Sequence, residues 1–189
     1  MLTISYICGM SYCEYCKTLP ESNVHRVYHD TLYGFPVEDD NELFGRLLLE
    51  INQAGLSWDI ILKKEQSFRL AYDQFEIEKV AAYAEKDIER LLQDAGIVRN
   101  RLKVNAAIYN AQEILKIKEE VGSFKNWLDI QKLTTLDEWK KLFKKRFKFT
   151  GGEIINEFLM STGYLKGAHN EKCTIFDKVI KNKPQWLEQ

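Results

Sequence analysis

The stretch DNELFGRLLLEINQAGLSWDIILKKEQSFRLAY, residues 40–72, decides the fold. Leu43, Phe44, Leu47, Leu48, Ile51 and Ala54 recur at the three-and-four spacing that lines one face of an α-helix. Asp40 and Asn41 can cap that helix, Gly55 can close it, and Ser57 can cap a second helix running through Ile61 to about Tyr72. The same pattern continues outward. A short helix near Ile77 to Ala84 and another from Asp87 to Asp94 lead to Gly96, and Leu102, Ala106, Tyr109 and Leu115 mark a longer helix beyond it. Thr135 can cap a basic helix holding Trp139, Leu142 and Phe143, and an apolar helix with Ile154, Ile155, Phe158 and Leu159 follows Gly151-Gly152. No pair of strands reads convincingly, so the expected class is all-α.

The chain has 189 residues, 45% of them hydrophobic, enough for one well-filled core and too few for two ordinary domains. We expect one helical domain over residues 12–189, preceded by an N-terminal extension, residues 1–11, with Met10 as an alternative start. No apolar run approaches the ~18 residues of a membrane span. The opening residues lack the basic flank and apolar stretch of a secretion signal, which points to a soluble, cytoplasmic protein without a membrane partner. Acidic and basic residues nearly cancel, to a formal net charge of -1, so any affinity for nucleic acid must come from local patches.

Cys8, Cys13 and Cys16 cluster near the start and Cys173 stands near the end. In a reducing compartment that usage favours a metal or free thiols over disulfides. Cys13, Cys16 and His29 from one end and His169 with Cys173 from the other are the candidate ligands, and the four-residue spacing of His169 and Cys173 can present both from one turn. Scattered polar residues with buried thiols are the bland alternative.

Glu50 falls at the edge of the apolar arc of its helix, aimed at the interior or a cleft, where a carboxylate needs a partner: the amino group of a purine, or backbone amides. Trp58 ends an interhelix turn at a position that helical spacing does not require, and can stack on an extruded base or only pack. Tyr28 and Tyr33 flank His29 with the same two options. Leu92 to Arg101, followed by Lys103, reads as two helices joined at Gly96. The amides opening the second helix, helped by Arg99, Arg101 and Lys103, can hold a DNA phosphate. A basic run, Lys140, Lys141, Lys144, Lys145, Arg146 and Lys148, can touch the backbone or merely face solvent.

Together these stretches resemble the DNA-3-methyladenine glycosylase I family, a branch of the helix-hairpin-helix glycosylases, from about Tyr12 to Phe176. The residues carrying the likeness are Cys13-Glu14-Tyr15-Cys16, Tyr28-His29-Asp30 with Gly34 and Pro36, and Glu50 with Gln53 to Trp58. Leu92 to Lys103, Lys144 to Phe149, and His169 with Cys173 complete the set. The resemblance implies a compact helical glycosylase fold and a structural zinc held by Cys13, His29, His169 and Cys173, joining the two ends, with Cys16 a neighbour. It also implies that Glu50 and Tyr28 hydrogen-bond the damaged base, that Trp58 stacks on it with Tyr33 nearby, and that the hairpin around Gly96 anchors double-stranded alkylated DNA. The sequence departs from the family pattern in carrying three extra residues before His29, His25 in place of a tyrosine, Leu32 and Tyr33 in place of a Glu-Trp pair, and one glycine fewer in the basic segment.

The implied activity is hydrolysis of the N-glycosidic bond of 3-methyladenine. With no lysine marked as a nucleophile, the expected enzyme is monofunctional, without lyase activity, and leaves an abasic site; Glu50 is the candidate catalytic carboxylate. A monomer is expected. The alternative is a non-enzymatic, zinc-stabilised DNA-binding module, which would have no need of Glu50, Tyr28 and Trp58 as a set.

Overall fold

A computed structural model of the chain describes the backbone of residues 6–7 and 10–188, and side chains from Met10 on, so Cys8 lies outside the described residues. The described residues from Tyr12 on form a succession of helices: α1 (Tyr12–Lys17), α2 (Val24–Thr31), α3 (Asp40–Gln53), α4 (Trp58–Ala71), α5 (Ile77–Ala81), α6 (Glu85–Gln93), α7 (Arg101–Val121), α8 (Phe124–Asp129), α9 (Leu136–Arg146), α10 (Gly152–Ser161) and α11 (Phe176–Lys181). One short ladder interrupts the all-α reading: β1 (Tyr6–Ile7) pairs antiparallel with β2 (Met10–Ser11) and runs directly into α1. Its two-residue strands are too short to carry a period-2 pattern, which is why the sequence does not announce them.

The caps explain where the helices begin. Asp39, not Asp40 or Asn41, caps α3 by accepting from Glu42 N–H at 2.8 Å. The two residues expected there cap other helices. Asp40 accepts from the amides of Phe124 (2.9 Å) and Lys125 (2.8 Å) at the start of α8, and Asn41 accepts from Ile77 N–H (3.0 Å) at the start of α5. One N-terminus therefore fixes three helices at once: α5 has no side-chain cap of its own, and in α8 Ser123 takes only the Asn126 amide. Ser57, Asn100 and Thr135 cap α4, α7 and α9.

Phe44, Leu47, Leu48 and Ile51 of α3 join Phe68, Phe75, Ile77, Val80, Ile114, Phe143 and Phe158 in one continuous core. A second, smaller cluster holds Cys13, Cys173, Ile175 and Val179, where the ends of the chain meet. Helix α7, roughly 30 Å long by its rise per residue, is the spine against which α5, α6 and α8 pack. Gly55 takes φ +89° at the turn after α3, a left-handed conformation that glycine adopts without strain, and so aims α4 and its first residue, Trp58, back toward α3. No described helix is long and apolar enough to cross a membrane.

Candidate active site and metal centre

Helices α2, α3 and α4 bring Tyr28, Arg46, Glu50 and Trp58 together. All four are buried, Glu50 to 1% exposure. The rings of Tyr28 and Trp58 meet edge-on at 5.3 Å, and the Arg46 guanidinium lies over the Tyr28 ring, 5.5 Å from its centroid. Tyr33 continues the aromatic wall at 5.5 Å from Tyr28, and Tyr12 meets Tyr33 edge-on at 5.6 Å. A cavity of about 190 Å³ opens between the same helices, lined by Tyr28, Arg46, Leu49, Trp58 and Leu62 among others, enough for a small ring system.

The hydrogen-bonding state of this group is unusual. Glu50 Oε2, the Tyr28 hydroxyl, Trp58 Nε1 and Arg46 Nη1 are buried without a hydrogen bond of good geometry. The Ser161 hydroxyl that faces Tyr28 is turned to the Phe158 carbonyl at 3.0 Å. Buried polar atoms are nearly always paired, and each orphan costs roughly 1–3 kcal/mol. Orphans gathered in one neighbourhood describe a place built to be completed by a ligand with its own donors and acceptors. Burial, followed by the charge of Glu157, holds the Glu50 carboxyl well above the usual carboxylate range, with Arg46 opposing. Burial likewise raises the phenols of Tyr28 and Tyr33, so both remain hydrogen-bond donors.

Three participants escaped the sequence reading. Arg46, one helical turn before Glu50, is 5% exposed and bonds Glu42 through Nε at 2.9 Å. Glu157, 3% exposed, sits on the apolar face of α10 and accepts from the Tyr33 hydroxyl at 3.2 Å. Each is a charge interrupting an apolar helical arc, the signal that singled out Glu50. Tyr12 carries no such signal. Its hydroxyl meets His25 Nδ1 at 3.1 Å, and His25 Nε2 reaches Asp59 at 3.4 Å. His25 is thus held against the Tyr12 and Tyr15 rings; burial lowers its pKa while Asp59 opposes.

The ends of the chain meet at a second site. Cys13 (α1), His29 (α2), His169 and Cys173 are all buried, and one ligand atom from each lies within 4.8 Å of the others. Cys173 Sγ is 3.6 Å from both His29 Nε2 and His169 Nδ1, and Cys13 Sγ is 3.7 Å from His169 Nδ1. Outer partners fix both imidazoles: His29 Nδ1 faces Asp30 at 2.6 Å and His169 Nε2 faces the Tyr33 carbonyl at 2.7 Å. Two sulfurs and two nitrogens with second partners on both rings are what a tetrahedral metal centre requires. Cys16 is buried nearby but bonds the His25 carbonyl at 3.6 Å and stands outside the quartet.

The turn between α6 and α7 is less uniform than the sequence suggested. Gly96 is needed for close approach, not for a left-handed φ: a Cβ there would lie 2.9 Å from Asp94 Oδ1 and 3.0 Å from Ser67 Cβ. Its amide donates to Asp94 at 2.7 Å, which gives Asp94 a structural task. Arg99 and Arg101 are exposed, Arg101 paired with Glu85 at 2.7 Å. Lys103 departs from expectation. It is 4% exposed, and its ammonium donates to the carbonyls of Asn52 (2.9 Å) and Ala54 (2.6 Å), tying the C-terminus of α3 to α7 instead of reaching outward. The open carbonyls at the end of α3 attract a cation, and the side chain satisfies them. In the basic run, Arg146 is half-buried and paired with Glu113 and Glu120, whereas Lys141, Lys144, Lys145 and Lys148 are exposed.

Fold and site define a helical enzyme with an aromatic-walled pocket for a flat, hydrogen-bonding ligand, its chain ends joined at a site able to hold a metal. The family described as methyladenine glycosylase matches residues 18–137. DNA-3-methyladenine glycosylase 1 of Escherichia coli is 38% identical over 90% of this chain and 100% of its own length, and DNA-3-methyladenine glycosylase of Haemophilus influenzae is 30% identical over 82% and 95%. Among solved structures, 3-methyladenine DNA glycosylase I of Staphylococcus aureus superposes with a TM-score of 0.74 at 34% identity, covering 85% of this chain and 95% of that one. A tyrosine-to-phenylalanine variant of 3-methyladenine DNA glycosylase I, solved in complex with 3-methyladenine, superposes at 0.75 with 32% identity over 85% and 96%. The chain belongs to the methyladenine glycosylase family.

Proposed function

We propose that the cavity lined by Tyr28 and Trp58, with Glu50 buried beside Tyr28, receives a 3-methyladenine extruded from double-stranded alkylated DNA and that the protein hydrolyses its glycosidic bond. Membership of the family supports the activity. The observation that carries the residue assignment is the set of buried polar atoms on those three side chains that lack a hydrogen bond of good geometry. Methylation at ring nitrogen three leaves the base positively charged and therefore a good leaving group, so strong acid catalysis is unnecessary. Glu50 accepts from the base edge, Tyr28 donates its phenolic hydrogen, and the Trp58 indole stacks on the ring, a contact worth about 1–3 kcal/mol. As the bond from the base nitrogen to the sugar breaks, its electron pair leaves with the base. The cationic sugar then takes hydroxide from water, the water's other proton is released, and an abasic site remains.

Among the described residues that line the cavity there is no lysine. The buried Lys103 is committed to backbone carbonyls. The enzyme is accordingly monofunctional and does not cleave the strand. Arg99, Arg101 and the helix-hairpin-helix turn around Gly96 contact DNA phosphates. Lys103 is withdrawn from that set and acts by fixing the turn that carries Trp58. Cys13, His29, His169 and Cys173 would hold zinc; with four protein ligands such a site would be structural, joining the chain ends and supplying nothing to the reaction. The protein acts as a cytoplasmic monomer, with residues 12–189 as its single domain and the segment before them as an extension.

Release of free 3-methyladenine from methylated DNA by the wild-type chain and by Glu50→Gln, both confirmed folded, tests the reading. Release by the wild type with strong loss in the variant is expected. Full activity in Glu50→Gln would remove Glu50 from the mechanism, and none from folded wild type would remove the enzyme.

A further inference from the structure

Glu157 lies among Ile154, Ile155, Phe158 and Leu159 on α10, 3% exposed, where an apolar residue is the ordinary occupant. A buried carboxylate must earn its place through specific contacts. Helix α10 packs on α3, the Tyr33 hydroxyl donates to Glu157 at 3.2 Å, and Tyr33 in turn lies 5.5 Å from the Tyr28 ring. The groups that feel its charge are Glu50 from α3, Tyr28 from α2, and Tyr33 from the turn after α2. Arg46 of α3, its guanidinium over the Tyr28 ring, opposes that charge and is itself paired with Glu42 at 2.9 Å.

Building on the glycosylase reading, we propose that Glu157 is a further positioning residue of the base pocket, a second buried carboxylate that acts on the bound base through Glu50 and Tyr33. Two buried carboxylates that feel each other's charge resist joint ionisation. A base that arrives with a positive charge relieves that resistance and meets the negative potential of both, whereas a neutral purine does not. The second carboxylate thereby ties excision to the charge that methylation creates. Tyr33 holds Glu157 in place with its hydroxyl while its ring completes the wall beside Tyr28.

The test is single-turnover release of 3-methyladenine from DNA as a function of pH, with thermal stability measured alongside. Glu157→Gln keeps the shape and removes the charge. Its rate is expected to fall about tenfold or more, about 1.4 kcal/mol of transition-state stabilisation. The acid limb of its profile is expected to move to lower pH, because Glu50 loses a neighbour that resists its ionisation. Glu157→Asp, which keeps the charge but shortens the reach to Tyr33, should slow release while leaving the acid limb near the wild-type position. Folded Glu157→Gln with the wild-type rate and acid limb would overturn the proposal, as would a slow, destabilised variant whose acid limb has not moved. If Glu157→Gln does not fold, an unchanged rate in Glu157→Asp overturns it equally. Wild-type release in the same assay reports separately on the glycosylase reading.

Discussion

Lys103→Met separates two roles that the sequence could not. The ammonium is the hydrogen-bond donor shared by the carbonyls of Asn52 and Ala54, at 2.9 and 2.6 Å, in a side chain 4% exposed. Methionine keeps most of the stem and leaves both carbonyls without that donor. At ~1–3 kcal/mol for each unsatisfied buried group, partly relieved by water at the less buried Ala54, the expected loss of stability is about 2–4 kcal/mol. For a chain of this size that is a fall in Tm of roughly 4–16 °C. If Lys103 instead neutralised a phosphate, stability would barely change and the slope of log affinity for DNA against log salt would shrink by about 0.9. Thermal melts and a salt titration of DNA binding, run on the same two proteins, decide between them. A wild-type Tm together with a reduced salt slope would refute the burial argument.

Cys173→Ser removes one of the four proposed ligands of the site where the chain ends meet. Elemental analysis of protein purified without added zinc should give about one zinc per wild-type chain and little in the variant, with a large fall in Tm; metal-free, fully folded wild type would contradict this. Glu50 should impose a pH dependence on stability, because its folded pKa lies above its unfolded value. Between the two, the unfolded chain gives up a proton that the folded chain keeps, so stability falls as pH rises through that window, beginning near the ordinary carboxylate range at ~4.3. Glu50→Gln removes that loss and should gain stability over wild type as pH rises from acid to neutral, even as activity is lost. Parallel pH–stability curves for the two proteins would count against the burial of Glu50.

Most of the helical architecture was legible because its signals are local. The apolar spacing of α3, Ser57 at the start of α4, Thr135 at the start of α9 and Gly55 at the turn each act over a few residues. What was not legible depends on contacts distant in sequence. Asp40 and Asn41 read as caps and are caps, but of α8 and α5, which only the packed structure brings to them. Helices α1, α2, α8 and α11 are short, six to eight residues each, and offer too few turns for periodicity to speak. The quartet of Cys13, His29, His169 and Cys173 was within reach only through the family resemblance, since spacing alone left Cys16 as good a ligand as Cys13. Lys103 shows the opposite error. A lysine beside two arginines looks like part of a phosphate clamp, yet helix α7 turns it inward toward the end of α3 while Arg99 and Arg101 face solvent.

The most direct measurement is to incubate the purified wild-type chain with duplex DNA carrying 3-methyladenine and to follow the released base by chromatography and the strand by denaturing gel. Free 3-methyladenine should appear while the strand stays intact until alkali cleaves it at the abasic site. No released base from folded protein would contradict the activity itself. Strand cleavage by the purified enzyme without alkali would contradict the monofunctional, water-dependent mechanism.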